Sequence, residues 1–198
     1  MSPRTKEQIE EIRNRSANQI LEAALELFAH QGFHNTTISQ IAKKAGVSKG
    51  LIYNYFASKE DLVGGIISQA LQTGEEIMST MKDPAVDPYE AMEKTIDDVF
   101  LIVEQNPTYW KLLMSLSFQE DILTQFDSLL RKQEFKNLEH LTDLLRRIGV
   151  KDPLMEAMYL SAVLDGILLH YIHFKDQYPL QQMKDFLKAK TRQMQKRT

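Results

Sequence analysis

Lys49, Tyr53, Asn54 and Tyr55 fall within one short stretch, SKGLIYNYFASKEDLV (residues 48–63), together with Gly50 and Lys59. Their chemistry is that of nucleic-acid contact. A lysine reaches phosphate or the O6/N7 edge of guanine, and an asparagine makes a bidentate contact to adenine. A tyrosine hydroxyl bonds a phosphate oxygen while its ring packs along the sugars. Glycine lets a backbone come close to a ligand. An ordinary solvated helix would carry Glu, Lys, Gln and Ala at such positions instead.

Something must hold these residues outward. Leu51, Ile52 and Phe56 have the spacing to anchor one face of a short helix predicted over residues 49–55, with Ser48 as its N-cap. Before it, residues 38–45 predict another short helix. Thr37 and Gln40 form a capping-box pattern at its start, Ile38, Ile41, Ala42 and Ala45 make its buried side, and Gly46 suits the left-handed residue that ends it. Helix, glycine turn, helix is the helix-turn-helix arrangement, whose second helix enters the major groove. A longer helix over residues 6–30 precedes the pair, with Ile20, Leu21, Ala24, Leu25, Leu27 and Phe28 as its apolar stripe and Gly32 as its stop. Ser58 caps a long helix from 59 to about 81.

Charge agrees with a local contact surface. The net charge of −3 opposes a chain coated in positive charge, yet residues 36–59 hold Lys43, Lys44, Lys49 and Lys59 and no acid. Arg4, Lys6, Arg13 and Arg15 lie upstream in a basic arm over residues 1–15, diluted by Glu7, Glu10 and Glu11. Taken by charge alone, the same lysines could form a plain solvated face. With no cysteine there is no thiolate site, which fits a cytoplasmic location. The first residues lack the apolar run of a signal peptide, and no apolar stretch is expected to reach the roughly 18 residues of a membrane span.

The composite TTISQIAKKAGVSKGLIYNYFASKEDLV, preceded by ILEAALELFAHQGFHNTT, resembles the signature of TetR-type transcriptional regulators over about residues 16–65. The resemblance implies phosphate contacts from Thr37, Tyr53, Tyr55 and Lys59. It places Ser48, Lys49, Gly50 and Asn54 near base edges or flanking phosphates, with Ser39 and Lys43 as further candidates on the first helix of the pair. It implies an all-α fold of about nine helices: a three-helix DNA-binding head over residues 1–65 and a helical regulatory and dimerisation domain over 66–198. The expected partners are double-stranded DNA with a palindromic operator, a second copy of the chain and a small-molecule effector, without a membrane or cofactor.

Beyond the head, Asp87-Pro88, Asn106-Pro107 and Asp152-Pro153 each place a capping side chain before a proline at a helix start. The predicted spans are 88–105, 107–117, 119–148, 153–175 and 179–196. In the resemblance the last two helices pair with their twofold mates, and MEAMYLSAVLDGILLHYIHF is apolar almost all round. Gly166 would let a partner helix cross closely; burial inside one subunit is the alternative. Candidate effector-pocket residues are Met78, Phe100, Trp110, Met114, Phe118, Phe135 and Tyr159, although aromatic and Met residues at helical spacing also make ordinary core.

Catalysis finds no support. Asp165, His170 and His173 do not share one tight helical face for a metal, and H-E-x-x-H, G-x-S-x-G and a glycine-rich phosphate loop are missing from the sequence. The expected function is therefore a repressor released from its operator by an effector. The alternatives are an activator of the same type, or a helical small-molecule or protein-interaction module whose helix-turn-helix is structural.

Overall fold

The structure is a computed structural model that describes residues 5–116 and 120–194. Nine α-helices are described: α1 Lys6–Gln31, α2 Ile38–Ala45, α3 Lys49–Tyr55, α4 Lys59–Lys82, α5 Pro88–Gln105, α6 Pro107–Leu116, α7 Glu120–Ile148, α8 Pro153–Phe174 and α9 Leu180–Arg192, with a 3-10 turn at Lys175–Gln177 between the last two. The all-α expectation holds, and no strand occurs among the described residues.

Local sequence explains the starts. Thr37 Oγ1 accepts from Gln40 N at 3.3 Å while Gln40 Oε1 accepts from Thr37 N at 2.7 Å, closing the capping box of α2. Ser48 Oγ accepts from Leu51 N, Ser58 Oγ from Asp61 N, and Asp87 Oδ1 from both Tyr89 N and Glu90 N. Asp152 caps α8 through Met155 N. Gly46 ends α2 at φ 66° and ψ 29°, the left-handed geometry that costs a residue with a Cβ 1–2 kcal/mol or so. α9 stops at Arg192, short of the expected Lys196; residues 195–198 lie outside the described residues.

The first core joins α1, α2, α3 and the first half of α4. Ile20, Ala24, Phe28, Ile41, Ala45, Ile52, Leu62, Val63, Ile66 and Ile67 are all buried there, with Leu112 of α6 closing the far side. Gly65 of α4 lies close against α1: a Cβ there would lie 2.8 Å from Leu21 Cδ2. A second core gathers Met81, Met92, Phe100, Leu144, Leu145, Ile148, Leu160 and Leu187 from α4, α5, α7, α8 and α9. α4 enters both, through Leu62 to Ile67 at one end and Met81 at the other. It is the shaft between them.

Polar pairs fix the shaft's far half. Glu75 on α4 accepts from Lys136 Nζ of α7 at 2.9 Å and pairs with Lys82 at 2.5 Å. These bonds, Lys82 first and Lys136 next, pull the Glu75 carboxyl down to about 2. Lys188 of α9 reaches Asp97 of α5 at 2.5 Å, and Arg192 forks onto Glu93 one turn away.

α8 corrects one expectation. By length and composition, Pro153–Gln177 would suffice to cross a membrane. Only 22% of that apolar window is fully buried within the subunit, while Val163, Leu164 and Tyr171 are half-buried against the cores. Leu154, Met155, Met158, Tyr159, Leu169 and Phe174 are large apolar residues exposed on it, and Phe186 of α9 is exposed too. The apolar residues run nearly all the way round α8, so no polar stripe marks an outer face.

Candidate nucleic-acid interface

α2 and α3 present one continuous outer surface. Ile41, Ala42, Ala45 and Ile52 turn fully inward, and Ile38, Val47, Leu51 and Phe56 are half-buried around them. By helical periodicity the remaining positions must face out. Thr37, Ser39 and Lys43 on the first helix, and Ser48, Lys49, Gly50, Tyr53 and Asn54 on the second, are exposed. Tyr53 is 56% exposed, a large aromatic surface left in water.

Among the described residues no ion pair engages Lys43 or Lys49, whereas Lys44 pairs with Glu26 of α1 at 2.5 Å. Two cations thus face outward and one serves packing. Gly50 has open space around it: an added Cβ would meet only Ser48 Oγ, at 3.9 Å. Nothing in the subunit requires glycine there.

Thr37 combines two roles. Its hydroxyl donates to Gln40 Oε1 at 2.8 Å, and the amides of Ile38 and Ser39 behind it are first-turn donors without a helical acceptor. An anion at this end meets free N–H groups and the positive end of the helix.

Two sequence candidates look inward. Tyr55 is half-buried against the first core, with the Arg13 guanidinium 5.8 Å from its ring centroid. Lys59 is also half-buried, and its ammonium donates to Phe33 O at 2.9 Å and to Thr36 O at 2.8 Å. It lies 4.5 Å from the centre of the Phe33 ring. Gln19 has no sequence signal of its role: its Nε2 donates to Ala45 O at 2.9 Å and tethers the end of α2 to α1. Gln19 and Arg13 act on residues 26 and 42 positions away, and no local spacing signals such contacts.

The pocket candidates scatter. Met78 lines a cavity of about 100 Å³ with Met81, Met92, Val99, Leu141 and Leu164. Phe100 is buried in the second core, and Trp110 packs against a third cluster of Ile77, Val99, Val103 and Leu168, with its indole N–H buried and unpartnered. Met114 is half-buried on α6. Phe135 and Tyr159 stand on the outside, 71% and 61% exposed, and Tyr159 borders a groove of about 400 Å³ between α8 and α9. Phe118 lies outside the described residues. Among the described residues there is no cluster of three or more His, Asp or Glu able to hold a metal ion.

Residues 20–66 match the model of the bacterial regulatory proteins of the tetR family. The HTH-type transcriptional regulator HbdR of Aromatoleum sp. (strain CIB) is 40% identical over 75 residues, 38% of this chain and 33% of its own length. The chain therefore spans about a third of that relative's length. The HTH-type transcriptional regulator BetI 1 of Chromohalobacter salexigens is 28% identical over 155 residues, 76% of each chain. A TetR-like transcriptional regulator from Rhodococcus sp. RHA1 superposes with a TM-score of 0.75 over 100% of both chains at 21% identity, which establishes a shared fold.

Proposed function

We propose, from a head that over residues 20–66 is of the tetR family of bacterial regulatory proteins, that this chain is a sequence-specific transcriptional regulator. The observation that carries the reading is the outer face of α3. Lys49, Gly50, Tyr53 and Asn54 are exposed on a helix whose opposite side is pinned by Ile52, which is fully buried. That is a surface built for contact and not for water. Lys49 and Asn54 supply base-edge chemistry, while Lys43, Thr37 and Tyr53 supply phosphate contacts.

The reading includes a homodimer through α8 and α9, supported by the uncovered apolar residues on both. Two heads about one helical turn apart, roughly 34–36 Å, would then read a palindromic operator. The division into a head of residues 1–65 and a regulatory and dimerisation body of 66–198 falls within α4. The Met-lined cavity beside the far half of α4 is the place assigned to a small-molecule effector. Such a ligand releases DNA only by binding tighter to a form in which the heads no longer fit neighbouring grooves. The reading is of a repressor that works in the cytoplasm, where its DNA is.

The test is selection of bound fragments from sheared genomic DNA, followed by gel shift on the recovered sequence. A shared palindrome, bound tightly by the native chain and weakly by Lys49→Ala, is the expected result. Recovery of unrelated fragments, bound equally by both, would leave only a helical binding module.

A further inference from the structure

We infer that Lys59 is a positioning residue and not a phosphate ligand: its ammonium is an internal strut that locks the start of α4 to the corner between α1 and α2. The inference rests on the proposed DNA-binding reading, because what the strut positions is the edge of that surface.

The geometry is that of a built joint. Lys59 has three N–H donors, and two are committed to main-chain oxygens of the corner, Phe33 O at 2.9 Å and Thr36 O at 2.8 Å. Phe33 O also accepts from Thr36 N, so the two carbonyls belong to one tight turn. The ammonium lies 4.5 Å from the centre of the Phe33 ring, and that ring is itself buried against Phe28. It also sits just past the end of α1, where helix carbonyls favour a positive charge. Among the described residues no carboxylate pairs with it.

The corner is braced from its own side as well. Thr36 is buried, its hydroxyl donates to Gly32 O at 2.8 Å, and it accepts from Gln31 Nε2 at 3.1 Å. The next residue, Thr37, is the N-cap of α2. One covalent step therefore separates the carbonyl that Lys59 holds from the residue whose hydroxyl and neighbouring amides face the proposed phosphate. Buried contacts between α1 and α4 set the helix spacing, whereas the strut fixes the first turn of α2 relative to the first turn of α4. A charged donor bridging two carbonyls is directional, and apolar packing is not.

The experiment compares native chain, Lys59→Met and Lys43→Met, each as the full chain. Affinity for the selected operator and for a mixed-sequence 30-base-pair duplex is measured across salt, alongside amide exchange and thermal unfolding. A lysine that neutralises a phosphate adds about 0.9 to the slope of log affinity against log salt, hence about 1.8 for a dimer. Lys43→Met, at an exposed lysine assigned to phosphate, serves as the control and should lower the slope by that amount. Lys59→Met should lower operator affinity tenfold or more with the slope kept near the native value, and speed exchange at residues 36–40 while residues 49–55 keep native protection.

A slope reduced by about 1.8 in Lys59→Met would make it a phosphate ligand and overturn the inference. So would unchanged affinity, or a loss matching only the unfolded fraction. If the native chain binds no DNA preferentially, the functional reading fails; the exchange comparison still decides whether the strut exists.

Discussion

At the scale of single residues, the outer face of α3 separates what the fold needs from what a ligand needs. Ile52 is fully buried and Tyr53, its neighbour, is mostly exposed. Gly50 is the sharper case, because a methyl group would fit the space around it. Gly50→Ala should raise stability by about 0.5 kcal/mol through helix propensity, yet weaken operator binding. Thermal unfolding and gel shift on the same preparation check both signs, and a variant that binds as well as the native chain would show that no close approach occurs there. Lys49→Ala acts by charge and by base contact, costing about 1–3 kcal/mol of operator affinity; titration against operator and a scrambled duplex distinguishes the two contributions.

Among elements, α4 matters most, since its two halves lie in different cores. Its far half is tied to α7 through Glu75, whose carboxyl is held down to about 2 by Lys82 and Lys136. A depressed carboxyl contributes stability that is fully present above its unfolded value, near 4.5, and is lost as pH falls through its folded one. The gap in stability between native chain and Glu75→Gln should therefore be constant above pH 4.5 and close progressively towards pH 2. Denaturant melts at stepped pH measure it; a gap that closed near neutrality would implicate another group. Gly65→Ala tests the near half. The added Cβ meets Leu21 at 2.8 Å, and overpacking of this kind costs about 1–3 kcal/mol.

For the whole molecule, the largest run of exposed apolar residues is that of α8, with Phe186 exposed on α9, the next α-helix in the chain. Met155, Met158, Tyr159 and Phe186 are each at least half exposed, an arrangement that suits a mate of the same kind. If α8 and α9 form the proposed homodimer, Tyr159→Glu should yield a monomer in sedimentation and abolish tight operator binding, while helix content stays native. A dimer that survives the substitution would place the interface elsewhere.

The head was legible because its information is local. Capping residues lie three positions from their amides, Gly46 marks its own turn, and the 3.6-residue period divides α2 and α3 into inner and outer faces. The body's helix starts were legible for the same reason, through Asp87 and Asp152 before their prolines. Side-chain destinations were not. Lys59 reads as an outward cation, and only the folding of residues 33–36 beneath it supplies the carbonyls that claim it. Phe135 and Tyr159 read as interior aromatics and stand outside, because hydrophobicity reports a wish for burial and not which neighbour provides it. Sequence by itself determined the elements and the chemistry of the α3 face, whose causes are a few residues apart. Tertiary structure decided which cations are free, which aromatics are covered and where a cavity opens, since each depends on groups brought together from distant parts of the chain.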